Sequence, residues 1–241
     1  MKKLQIFTIL LALFALNINY AQEDLTEIPF ILTDIANGVS TDSPSTLYSF
    51  DNSDKSVHGS AYIQEIFMPA KLSLMDGTKI FKLKYNAYND EIEIENESGK
   101  ANALNKNIDN LLIVFVSDDK TYQALDYVDK DANTTRGYFV HVNSAISKYK
   151  LLIKETVIFI DRKPAKTSYD KTKPAELKRI DDKYFIAIGT DAAVEFPKKK
   201  KEFPKVFPDK HKDILSFMKK NKIKTSKDKD LVELINYINT L

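Results

Sequence analysis

The chain has 241 residues, a formal net charge of +2, 43% hydrophobic and 29% charged side chains, and no cysteine. This length buries a sizeable core without cross-links, and the missing cysteine excludes both a disulfide scaffold and a lipoprotein acylated on an N-terminal thiol. Near neutrality hides a division: residues 22–135 carry 20 acidic and 9 basic side chains, residues 136–241 carry 14 and 25. The two halves either attract each other within one fold or join different chains, and screening beyond a Debye length makes the first reading the simpler one.

Residues 1–21 have the layout of a signal peptide: Lys2 and Lys3, an apolar run from Ile6 to Ile18, and Ala21 before Gln22. Asn19 is larger than the small residue usual at that position of a cleavage site. The apolar run is short of the roughly 20 residues needed to cross a bilayer, so the segment is expected to be removed and to send the chain to the periplasm or cell exterior. No transmembrane span is expected after cleavage, and no nucleic-acid partner. Residues 22–52 read as a polar lead-in, with STDSPST at 40–46.

Residues 53–190 read as a β-rich body. Its candidate strands are AYIQEIF, AKLSLMD, TKIFKLKY, EIEIE, LLIVFVS, TYQALDYV, GYFVHVN, KYKLLIKETVIFID, AELKRI and YFIAIG, separated by turn signals such as Asp76-Gly77, Asp118-Asp119 and Asp181-Asp182. Even spacing and little helical pattern predict an antiparallel meander that forms a sandwich, barrel or open clasp. In KLKYNAYNDEIEIENESG, residues 82–99, five acidic side chains fall between Asp90 and Glu97. Folding at Tyr88-Asn89 sets Lys84 opposite Glu93, Lys82 opposite Glu95, Leu83 opposite Ile94 and Tyr85 opposite Ile92. That register makes the acidic cluster the wet face of a hairpin rather than a catalytic site. Tyr85, Asn86, Tyr88, Asn89 and Asp90 exceed what a turn requires, and mark a buried polar anchor or a ligand contact.

Residues 191–241 read as a lysine-rich connector and a helical tail. Pro197, Pro204 and Pro208 punctuate the connector, and Phe196, Phe203 and Phe207 tie it to the body. Two helices are expected, over Asp209–Lys222 and Lys227–Leu241, forming a hairpin that packs on the sheet or on itself. Leu231, Leu234, Ile235 and Ile238 make one stripe of the second, and Thr225 with Asp228 resembles a capping box. Lys198, Lys199, Lys200 and Lys201 are a candidate contact for envelope polyanions, against the alternative of a solvated connector.

The catalytic vocabulary is thin. His58, His141 and His211 stand in unrelated contexts, and there is no nucleophile elbow, His-Glu-x-x-His or phosphate loop. No catalytic, cofactor-binding or metal-binding residue is assigned, and no cofactor is expected. Asp129, Asp131 and Asn133 have the first spacings of a calcium loop, but Thr134 stands where glycine belongs and Val140 where the bidentate glutamate belongs, which favours a plain turn.

At GSAYI, KYNAYNDEIEIE and KYKLLIKE the chain resembles a family of uncharacterised exported proteins of Bacteroidetes bacteria, over about residues 59–240. The resemblance implies an envelope setting and a β-rich body, and transfers no activity. Three functional readings stay open. The first is a noncatalytic envelope protein that binds a lipid, glycan or protein, or serves a structural role. It includes a lipid- or lipoprotein-binding clasp whose groove is lined by Leu111, Ile113, Phe115, Phe139 and Leu152. The second is an envelope-polymer hydrolase using His58 or His141, and the third an assembly built through the oppositely charged halves.

Overall fold

A computed structural model describes residues 57–241 except 75, 76, 96–100, 166 and 168, so segments 1–21 and 22–52 lie outside the described residues. Its strands are β1 (Val57–Gly59), β2 (Met68–Leu74), β3 (Gly77–Asn86), β4 (Glu91–Glu95), β5 (Ala101–Ala103), β6 (Leu112–Phe115) and β7 (Thr121–Val128). They continue with β8 (Thr134–His141), β9 (Tyr149–Lys154), β10 (Val157–Ile160), β11 (Ala175–Arg179), β12 (Lys183–Ile188) and β13 (Val194–Glu195). After a 3-10 turn at Lys200–Glu202 come α1 (Phe203–Val206), α2 (His211–Lys220) and α3 (Asp228–Thr240). None of the described helices is long and apolar enough to cross a membrane.

Ten strands form one sheet, in the order β13-β12-β9-β8-β7-β6-β2-β3-β4-β5 with antiparallel neighbours, curled into a half-barrel. A smaller sheet holds β1, β11 and β10, with β1 parallel to β11. The expected antiparallel β body with C-terminal helices is therefore present. The tail differs from a plain two-helix hairpin, because the lysine-rich connector adds α1, a single turn that begins with the buried Phe203 and has Pro204 near its start.

The β3–β4 hairpin has the register read from its alternation: Leu83 pairs with Ile94, Lys84 with Glu93 and Tyr85 with Ile92. Lys82 reaches Glu95 at 3.0 Å and Lys84 reaches Glu93 at 3.4 Å. The expectation of a wet face fails at the second rung, where the Lys84 and Glu93 side chains are only 13% and 4% exposed. The cause is the segment AYIQEIF, expected as a strand. It makes a single bridge, Tyr62 to Asn86, and otherwise runs as bends over the rung. The Tyr62 ring lies 3.8 Å and the Phe67 ring 4.6 Å from Lys84 Nζ, and the Tyr62 hydroxyl donates to Glu93.

Other departures are local. KYKLLIKETVIFID is two strands that separate at Glu155-Thr156 and enter different sheets. Thr225 does not cap α3: its hydroxyl donates to the Lys198 carbonyl, and Lys227 holds the cap position without a side-chain bond.

Cross-strand register divides the core. Ile113, Tyr122, Val140, Ile153 and Tyr184 succeed one another across β6, β7, β8, β9 and β12, and so share a face. Toward β9 and β12 this face, through Tyr149, Leu151 and Ile186, is covered by Phe196, Phe203, Phe207 and the stripes of α2 and α3, including Ile214, Met218, Leu231, Leu234, Ile235 and Ile238. The opposite face carries a second cluster, Phe139, Leu152, Phe185, Ala187 and Ala193, with T-shaped contacts among Tyr127, Phe139 and Phe185. Ala193 closes this side by bridging to Tyr127 across the curl. The five residues expected to line one groove are consequently split, since Ile113 and Phe115 lie on the first face and Phe139 and Leu152 on the second. All five are buried.

Ion pairs cross the boundary between the acidic and basic halves inside one chain: Asp90 with Lys154, and Arg136 with Asp109 and Asp126. The charge division is spent, at these places, on holding the fold together.

Candidate functional site

The turn between β3 and β4 is built by its own side chains. Asn86 Oδ1 accepts the amides of Tyr88 and Asn89, and Asn86 Nδ2 donates to Glu93 at 3.0 Å. Asp90 ends the turn at φ 56°, a left-handed conformation that Asp and Asn tolerate better than most residues. The Asp90 carboxylate reaches toward β8 and β9.

There the large sheet is incomplete. Whereas β7 and β8 pair over seven rungs, β8 and β9 pair only at Val140–Ile153 and His141–Leu152 and then splay apart. Two side chains fill the gap. Asp90 Oδ1 accepts the Tyr138 amide at 3.1 Å, and Lys154 Nζ donates to the Tyr138 carbonyl at 2.9 Å. The two side chains pair with each other at 2.6 Å. Both backbone groups of Tyr138 that a strand neighbour would have satisfied are satisfied instead by an ion pair, as buried peptide groups require.

Gly137 makes this possible. A Cβ there would stand 2.5 Å from Asp90 Oδ2, 2.6 Å from Lys154 Nζ and 3.0 Å from Tyr127 Cε1. The Lys154 ammonium also sits 4.9 Å from the centre of the Phe139 ring and 5.4 Å from that of Tyr127. Burial pushes the Lys154 pKa below the ordinary lysine value, and the adjacent Asp90 carboxylate opposes that shift.

On the other face the Tyr85 hydroxyl donates to Asp90 at 2.8 Å, and it lies 3.3 Å from the Glu155 carbonyl. Glu155 in turn accepts from Tyr122, from Lys120 at 3.0 Å and from Arg179 at 3.0 Å. Burial, then the neighbouring carboxylates, push the hydroxyls of Tyr85 and Tyr122 far above the usual tyrosine range, so both remain donors. The arrangement is a connected polar network with most of its valences used.

An open cleft of about 560 Å³ lies against the Asp90–Lys154 pair. Tyr127 and Phe185, from one sheet face, give it an apolar floor, Tyr88 and Thr156 line it with hydroxyls, and the exposed Lys130 and Lys183 add two cations. A second, more polar cleft of about 270 Å³ is lined by Gln123, Arg136 and Lys150.

Of the residues expected at a site, Tyr88 and Asp90 line the larger cleft, while Tyr85 and Asn86 are buried behind it as supports. Lys198–Lys201 do not join them. They are exposed on the connector, where Lys198 pairs with Glu195 at 2.8 Å and Lys200 and Lys201 enter the 3-10 turn. Asp129, Asp131 and Asn133 form a turn in which Asp129 Oδ1 accepts the amides of the other two. Among the described residues there is no group of three or more side chains that could hold a metal ion.

The histidines stand apart in the fold. His58 is on β1, His141 Nε2 engages Gln123 at 2.8 Å, and His211 Nδ1 engages the Pro208 carbonyl at 2.7 Å. Sequence reading did not find Lys154, Gly137, Lys130, Lys183 or Phe185. Gly137 did carry a signal, since a glycine inside a strand marks close approach by another group.

Comparison with protein-family models, with curated proteins and with solved structures gives no match for this chain.

Proposed function

We propose that the protein is a noncatalytic binding module of the cell envelope, exported by its N-terminal signal, which holds a small ligand with an apolar part in the cleft beside Asp90 and Lys154. The observation that carries this reading is the cleft itself. Its 560 Å³ falls within the range of about 300–1,000 Å³ typical of small-molecule sites, and it combines an aromatic floor with a few convergent polar groups. Its back wall is fixed by the ion pair and the tyrosine network, which supplies the rigidity that a preorganised site needs. The carboxylates of the network are engaged by hydroxyls, amides and cations, an arrangement suited to holding shape rather than to moving protons. A clasp that lays an acyl chain along the whole sheet draws no support, because its expected lining is split between two faces and buried.

The test is a titration of the full chain with the neutral fluorophore N-phenyl-1-naphthylamine. Wild type should bind saturably at about one site, and Thr156→Trp, which fills the cleft from a loop position, should abolish binding while circular dichroism stays unchanged. Absence of saturable binding to wild type, or equal binding to the folded variant, would overturn the proposal.

A further inference from the structure

The charges around the cleft select among ligands. Three acidic residues line it, and each is already engaged. Asp90 pairs with Lys154, Glu195 pairs with Lys198, and Asp129 accepts two amides of its own turn. Of the three lining lysines, Lys154 is engaged by Asp90 and the Tyr138 carbonyl, whereas Lys130 and Lys183 form no ion pair among the described residues. Lys183 is also set directly opposite Lys154 on the neighbouring strand. Like charges facing each other across a strand pair are destabilising, and of these two lysines Lys154 is the one with a carboxylate partner among the described residues. Beside these cations lies the floor of Tyr127 and Phe185.

Resting on the reading of this cleft as a ligand site, we infer that its ligand is an amphiphile with a single anionic head, the head held by Lys130 and Lys183 and the apolar body laid on Tyr127 and Phe185. The head supplies the counter-charge that Lys183 lacks among the described residues.

The probes are decanoate, decyl phosphate, decanol and decyltrimethylammonium, each used below its critical micelle concentration to displace N-phenyl-1-naphthylamine from the full chain. Decanoate and decyl phosphate should displace the fluorophore at concentrations at least tenfold lower than decanol, and decyltrimethylammonium should be weakest. Which of the two anions binds tighter distinguishes a carboxylate from a phosphate head. In Lys130→Glu/Lys183→Glu, whose altered side chains are solvent-facing, the advantage of the anions should vanish while decanol is unchanged. Equal displacement by decanol and both anions, or an anion preference that survives the double variant, overturns this inference and leaves the cleft as a ligand site. No fluorophore binding by wild type removes both.

Discussion

Two regions of this molecule are held together by different means. Under α2 and α3 the sheet is covered by aliphatic and aromatic side chains, with Leu234, Ile214 and Ile238 fully buried and no charged group among them. At the turn of the β3–β4 hairpin the buried Lys154, Glu155, Glu93 and Asn86, with the half-buried Asp90 and the hydroxyls of Tyr85 and Tyr122, meet a partner of opposite charge or a hydrogen-bond complement. The first region draws on non-directional burial and tolerates changes that keep volume. The second depends on every member being present, since removing one partner strands a buried charge. The larger cleft borders the second region.

Asp90→Ala should give the largest loss, about 3–5 kcal/mol, because it leaves the Lys154 ammonium buried and the Tyr138 amide unpaired. Denaturant melts would measure it, and adding Lys154→Met should recover part of the loss by removing the stranded charge. If the double variant is no more stable than Asp90→Ala, the ion pair is not what the region depends on. In the apolar region Leu234→Ala should cost about 2–5 kcal/mol, yet Leu234→Met less than about 1.5. The contrast sharpens with Asp90→Asn, nearly the same volume but without the charge, which should cost more than Leu234→Met.

Gly137→Ala should cost about 1–3 kcal/mol, as overpacking against the carboxylate, the ammonium and the Tyr127 ring. A neutral result in thermal melts would mean that the pair shifts freely and is not clamped.

Acid stability gives a smaller effect with a defined window. Burial, then Lys150, holds the His141 pKa down at about 4 from its ordinary 6.5. Between those values the unfolded chain binds a proton that the folded chain refuses, so stability falls as pH drops from 6.5 toward 4, by at most about 3 kcal/mol. His141→Gln should flatten that part of the pH profile; an unchanged slope would place the acid sensitivity elsewhere. The smallest effect concerns the two rungs of one hairpin. Lys82→Ala, at an exposed pair, should change stability by less than about 1 kcal/mol, and Lys84→Ala, at the covered rung, by clearly more.

Much of the fold was legible in sequence because it follows local rules. Alternation set the β3–β4 register to the residue, and the three-and-four stripe of Leu231, Leu234, Ile235 and Ile238 identified the buried face of α3. Alternation also misled at AYIQEIF, where covering the Lys84–Glu93 rung prevails over strand propensity. The surplus of polar residues from Tyr85 to Asp90 marked a turn whose side chains bond within the hairpin and across to β8 and β9. Their partners could not be read in the same way: Lys154 lies far along the chain at the end of an apolar run, and only the curl of the sheet brings it to Asp90. The larger cleft depends on the same long-range closure, with Lys130 from one turn and Lys183 from the start of β12 both lining it. Nothing in the local pattern distinguishes these two lysines from the many solvated ones.

The most direct test of the account is chemical-shift mapping on the isotope-labelled full chain during titration with N-phenyl-1-naphthylamine and then decanoate. Perturbations should concentrate on the amides of Tyr88, Tyr127, Val128, Thr156 and Phe185, with Lys130 and Lys183 added for decanoate. Perturbations centred on the helical tail or on the Gln123–Lys150 cleft, or no saturable perturbation at all, would contradict it.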